Sequence, residues 1–245
     1  MIIQPLRRCA TIAMMCLLIV FLHGTSFAKR RPPAGGRVAI VVDERLSALR
    51  TIPEFYGKLL RRIGRGGLVA IRGEKRNRDG IVFYRVNINR RTNGWIQRDA
   101  VVSPSRHGDA ARLLRLIKGS EDFDRIVRAR IFLDNFRISE FRPEVLMLFG
   151  QAAEDASNHL TRDAWRRLDE KEMNAGGAPV FSYFLNFNEL DRYNRQGLNF
   201  VFDAREKRFH YDGESWREVV HRYPKSSEAF EARKLLESRS VKNVR

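Results

Sequence analysis

The side chains of this sequence that could do chemistry are a few histidines, two cysteines, some adjacent carboxylates and a great many arginines. The 245-residue chain has five histidines (His23, His107, His159, His210 and His221) and two cysteines (Cys9 and Cys16). No histidines stand in an H-x-x-x-H, H-E-x-x-H or H-x-H spacing. Two cysteines cannot build a cysteine-rich zinc site, so no metal signature and no cofactor are read. A G-x-S-x-G elbow and a phosphate loop are both missing. Asp169-Glu170 falls on an expected helix among arginines, where solvated ion pairing accounts for it. Carboxylates drawn from distant segments would still permit a hydrolase. The arginines are denser: Arg72, Lys75, Arg76 and Arg78 fall within residues 72–80, and Arg90 and Arg91 within 89–94. Planar guanidinium forks make paired hydrogen bonds to carboxylates and phosphates, so these two loops point to an anionic partner. A solvated basic face is the other reading.

The charge is unevenly placed. The whole chain carries 46 basic and 29 acidic residues, a net of +17, and 43% apolar residues rule out global disorder. Residues 29–106 hold a net of +13 and residues 107–245 only +2. The basic character therefore belongs to one segment, and the shift near Ser103-Pro104-Ser105 predicts a domain boundary.

Residues 1–28 read as a secretory signal peptide. Arg7 and Arg8 precede an apolar run over 9–22, and Ser26-Phe27-Ala28 supplies small residues for cleavage. The run is shorter than the roughly 20 residues a membrane span needs, and no later stretch is long enough. Residues 29–36 read as a basic flexible leader. Removal of 1–28 leaves no cysteine, which suits an oxidising envelope compartment and excludes cysteine catalysis; export itself argues against a nucleic-acid partner.

The elements that must position the arginines are short strands. Val38-Ala39-Ile40-Val41-Val42 is a continuous β-prone run. Gly66-Gly67, Asp79-Gly80 and Asn93-Gly94 each precede a further apolar stretch, and Asn93-Gly94 reads as a hairpin turn. Five or so strands in about 65 residues predict a small closed barrel. Five pieces carry a resemblance here: the segments beginning at Ala48 and Lys58, Phe83-Tyr84-Arg85-Val86, Thr92-Asn93-Gly94-Trp95-Ile96, and Ala100-Val101-Val102. In order and spacing they resemble bacterial SH3-like domains over about residues 37–103, although the stretch 72–81 is longer and more basic than usual. The resemblance implies an exported protein of the cell envelope, in a family of which some members bind peptidoglycan and others are spacers. Tyr84 and Trp95 join the six loop cations as candidate ligand-binding residues, with barrel core or rim as the plainer role for both.

The second half reads as helical. Apolar spacing predicts helices over 109–118, from an N-cap at Ser120 to Phe136, over 144–155, and over 161–173 with Trp165 and Leu168 inward. An aromatic stretch follows at 181–187. The patch 190–197 reads as a capped turn into a β-hairpin near 198–211, with a pocket lining as the sharper alternative. Residues 132–139 align weakly with 219–226, and the stretch from Trp216 to Ala229 resembles the helix–turn–helix of tetratricopeptide repeats, which stack to bind proteins. Tyr193, Arg195, Trp216 and Tyr223 are the candidate partner-binding residues.

The expected fold is thus α+β: an SH3-like barrel over 37–106, then a tetratricopeptide-like helical domain over 107–245. The expected function is non-enzymatic. The barrel would contact an anionic envelope component (peptidoglycan or lipid phosphate) and the helices another envelope protein, on the periplasmic or extracellular side. A cell-wall hydrolase or its accessory subunit is the alternative.

Overall fold

The apolar run at 38–42 forms a strand buried on both sides, which is why it lacks the usual polar alternation. In the computed structural model, which describes residues 36–179, 182–183, 190–203 and 205–243, strand β1 (Arg37–Val41) sends Ala39 and Val41 into one core and Ile40 into another. The readings made for 1–28 and 29–35, and for most of the aromatic stretch 181–187, lie outside the described residues.

Seven strands build one antiparallel sheet. They are β1, β2 (Ala48–Arg50), β3 (Leu59–Arg62), β4 (Leu68–Arg76), β5 (Val82–Asn87), β6 (Asn93–Gln97) and β7 (Val101–Val102), in the order β3-β2-β6-β5-β4-β1-β7. The expected closed barrel is corrected: among the described residues the ladder is open, with β3 and β7 at its ends. Only two residues long, β7 has α1 (Asp109–Lys118) beside it, and Arg112 of that helix donates to the carbonyls of Val101 and, at 3.0 Å, Asp99. The inner face of the sheet packs Leu49, Val69, Ile71, Tyr84, Val86 and Ile96 together.

Two turns differ from expectation. β4 continues through Arg76, so the loop expected at 72–80 shrinks to a turn at 77–80, organised by Asn77. Asn93 and Gly94 lie in β6, opposite Asn87 and Val86, and the turn falls earlier, where Asn89 Oδ1 accepts the N–H groups of Arg91 and Thr92 at 2.9 and 2.8 Å. Gly94 serves close approach instead: a Cβ there would sit 2.7 Å from the Arg50 carbonyl oxygen.

Seven helices follow among the described residues: α1, α2 (Asp122–Asn135), α3 (Arg142–Arg167), α4 (Glu170–Gly176), α5 (Leu190–Asn194), α6 (Glu214–Arg222) and α7 (Ser227–Asn243). The helix at 109–118 stands where its spacing predicts. Ser120 does not cap α2, whose N-cap is Glu121; its hydroxyl donates to the Leu116 carbonyl and accepts from Arg128 at 2.6 Å. The two helices expected at 144–155 and 161–173 are largely one, because Ala152, Ala153, Ala156, Leu160 and Ala164 carry a buried stripe through the expected break. Trp165 is corrected from inward to 39% exposed, its indole N–H reaching the Lys207 carbonyl at 3.2 Å. The hairpin β8 (Phe200–Asp203) and β9 (Arg208–Tyr211) forms as read. Both aligned segments sit at helix–turn–helix junctions, and in each the aromatic residue, Phe136 or Tyr223, is the C-cap of the first helix.

The composition shift near Ser103 is not a gap in packing. Ile40, Val42 and Val102 share a core with Leu113, Ile117, Phe132 and Val145. Arg128 of α2 donates to the Val42 carbonyl at 3.2 Å, and Arg65, before β4, forks onto Asp124 of α2 at 2.5 and 3.0 Å. Those hydrogen bonds from Arg65 hold the Asp124 carboxyl below its ordinary range.

Candidate binding face on the open sheet

Side chains directly opposite each other in antiparallel strands lie on the same face, about 4.5–5.5 Å apart at Cβ. The observed register therefore writes a row across the outer face: Leu59 of β3, Arg50 of β2, Trp95 of β6, Arg85 of β5 and Gly73 of β4. The next row holds Lys75, Phe83 and Gln97. Phe83 is buried although it points away from the inner core, because Phe55 of the β2–β3 loop meets it edge-on at 5.5 Å. That loop is pinned over the sheet. Arg50 Nη1 donates to the Gly57 carbonyl at 2.8 Å, and Asn77 Nδ2 donates to Glu54 Oε2 at 3.1 Å. At its other side the face stays open: a Cβ on Gly73 would meet no atom within 4 Å.

The face is thus a half-buried indole between Arg50 and Arg85, with Lys75 one row away and an apolar border of Leu59 and Phe55. Its charges are available. Among the described residues, Lys58, Arg62, Lys75 and Arg85 make no ion pair; the pairs in this segment are Arg45–Asp43, Arg65–Asp124 and Arg98–Asp99. An indole flanked by guanidinium groups can stack a flat or sugar-like group while the cations take carboxylate or phosphate oxygens.

Of the residues singled out from the sequence, the structure brings only some to this face. Trp95 and Lys75 are on it. Tyr84 is not: it is 2% exposed on the inner side, its hydroxyl accepts from Arg106 at 2.6 Å, and burial pushes its phenol up. Arg76 lies opposite Val82, hence on the Tyr84 side, with its guanidinium donating to the Gly80 carbonyl at 2.7 Å. Arg78 lies in the 77–80 turn, and Arg90 and Arg91 in the β5–β6 turn, at opposite ends of β5. At about 3.3 Å per residue, a six-residue strand keeps the two turns roughly 17 Å apart. The two loops therefore do not make one cluster. Arg72 stands at the register shift in β4 between Ile71 and Gly73. Arg50 and Arg85 were missed, because single basic residues in alternating strands carry no local signal; only the pairing places them beside Trp95.

The candidate partner-binding residues of the helical half do not assemble either. Tyr193 is buried between Phe123 and Phe200, at ring distances of 5.2 and 5.3 Å, and Trp216 is buried against Tyr211 at 5.5 Å. Arg195 is exposed and Tyr223 half-buried. A groove of about 550 Å³ lies beside them, lined by Arg130, Asp134, Arg142, Glu218 and Arg222 among others. Three of its four arginines are answered: Arg130 by Asp134 at 3.3 Å, and Arg142 and Arg222 by Glu218 at 3.0 and 3.5 Å; Arg137 makes no ion pair among the described residues. Sequence spacing also missed a trio at the β8–β9 turn, Asp203, Glu206 and His210, whose donor atoms lie within 4.8 Å of one another. Compared with models of protein families, with curated proteins and with solved structures, the chain gives no match.

Proposed function

We propose that this is an exported, non-enzymatic cell-envelope binding protein. Its SH3-like sheet takes an anionic envelope component, peptidoglycan before lipid phosphate, and its tetratricopeptide-like helices dock another envelope protein. One observation carries the reading: Trp95 stands between Arg50 and Arg85 on an open face whose neighbouring cations lack carboxylate partners, whereas three of the four groove arginines of the helical half are paired. Stem-peptide carboxylates suit the guanidinium forks, and glycan rings suit the indole. The +13 of residues 29–106 adds long-range attraction to any polyanion, which is why charge alone must be separated from shape.

The test is a sedimentation assay of the purified protein with sacculi and with anionic phospholipid vesicles across a salt series. Retention on sacculi is expected to persist at 0.3 M salt, where exposed charge is heavily screened, and to fall about tenfold in a Trp95→Ala/Arg85→Ala variant. Vesicle binding should vanish with salt and change little in the variant. Loss of both with salt, or equal sacculus retention by the variant, overturns the proposal. Release of soluble muropeptides would replace it with the hydrolase reading.

A further inference from the structure

We infer that the β8–β9 turn binds a divalent cation of the zinc class through Asp203, Glu206 and His210, with Glu154 of α3 orienting the imidazole. His210 Nε2 and Glu206 Oε2 lie 3.4 Å apart. Donors on a tetrahedral ion with bonds of about 2.0–2.1 Å are separated by roughly 3.3–3.4 Å, so these two atoms stand at ligand spacing. Asp203 completes three ligands, its donor oxygen within 4.8 Å of theirs.

The turn is held in shape without the ion. Asp203 Oδ1 accepts the N–H groups of Arg205 and Glu206 at 2.7 and 3.0 Å, which leaves Oδ2 for a metal. Lys207 adopts φ +48°, a left-handed conformation that non-glycine residues enter only when the surroundings impose it.

The second layer is also present. Histidines on metals usually present their other ring nitrogen to a carboxylate or carbonyl, which fixes tautomer and ring orientation. Glu154 Oε1 lies 3.6 Å from His210 Nδ1, and its Oε2 accepts the Tyr211 N–H at 3.1 Å, so the carboxylate is itself fixed. Of the nearby cations, Arg205 in the turn acts on Asp203, and two others have partners outside the trio. Arg208 Nη2 donates to Asn158 Oδ1 at 2.7 Å, while its Nη1 stands 3.6 Å from Glu206; Lys207 Nζ pairs with Glu170 at 3.0 Å. Glu206 is therefore the ligand that exchanges a long ionic contact for a metal bond. One imidazole and two carboxylates suit zinc, and the imidazole disfavours magnesium and calcium, which prefer all-oxygen sites. The fourth position is left for water or for a donor from a partner.

Calorimetric titration of the purified protein with Zn2+, and with Mg2+ for comparison, tests this. One equivalent of Zn2+ is expected to bind and raise the melting temperature, with no Mg2+ heat. His210→Ala should weaken zinc at least about tenfold, and Glu154→Gln about 10–100-fold, the range for losing an orienting carboxylate. Should His210→Ala fail to keep its helical circular dichroism, Asp203→Asn/Glu206→Gln preserves side-chain shape and gives the same reading. Absence of zinc binding, or affinity unchanged in the variants, overturns the inference; the latter would place the ion on other residues of the chain.

Discussion

Tyr211 shows at single-residue scale how the helical half is sealed. Its phenol is buried beside Trp216 and accepts the Ser215 N–H at 2.8 Å, and burial pushes its pKa up to about 12. An unfolded chain releases that proton near 10. The folded state therefore holds one more proton than the unfolded state between those values, and stability falls as pH rises from about 10 towards 12, by on the order of 2–3 kcal/mol. The difference between tyrosinate absorbance titrations of the protein and of Tyr211→Phe should have its midpoint near 12; a midpoint near 10 would mean the phenol is wet. The alternation of Phe209 and Tyr211 in β9 places the phenol on the buried face, but its packing partner Trp216 arrives from the next helix. The zinc trio is similarly opaque: its ligands are spaced three and four residues apart, but the orienting Glu154 is 56 positions before His210.

Asn77 does the equivalent work for an element. It is 7% exposed, yet both its N–H donors and its carbonyl oxygen are engaged: Nδ2 reaches Glu54 and Asp79, each at 3.1 Å, and Oδ1 accepts the Ile81 N–H at 2.8 Å. One side chain thus closes the β4–β5 turn and fastens the β2–β3 loop that puts Phe55 over Phe83. Asn77→Ala should cost about 1–3 kcal/mol in urea denaturation, because buried polar groups lose partners. It should also raise amide exchange in the loop at 51–58; exchange confined to 77–81 would show the loop to be held otherwise. Elements such as β1, β5, α1 and the β8–β9 hairpin were legible because burial on one or two faces writes its period into adjacent residues. Asn93-Gly94 misled because glycine answers both to turns and to close approach, and only the position of the Arg50 carbonyl decides between them. The candidate face was half legible: Trp95 stands out as a residue type, while its flanking arginines follow from long-range register.

Across the whole molecule, sheet and helices share a core, and Arg128 crosses between them. Its guanidinium is buried and bonds the Val42 carbonyl and the Ser120 hydroxyl, and burial pulls its pKa down. Arg128→Ala strands both acceptors, at a cost of about 1–3 kcal/mol. Calorimetry should show one cooperative transition for the sheet and helices, shifted down as a unit by this substitution. Two separable transitions, with only one moved, would mean that the shared core does not couple them. The composition shift near Ser103 marks a change in surface charge, and the interior runs straight past it.

The two ends of the sheet have unlike fates. β7 lies beneath a helix, whereas among the described residues no strand pairs the outer edge of β3, where Leu59 and Leu60 are exposed. Such an edge invites another copy to add on, and what opposes this is like charge from Lys58, Arg61 and Arg62. Repulsion of that kind reaches about 8 Å at physiological salt and about 3 Å in molar salt. Dilute buffer is therefore expected to keep copies apart, and light scattering of the protein alone should show association rising with salt; scattering that does not change with salt would mean the edge is blocked by something other than charge.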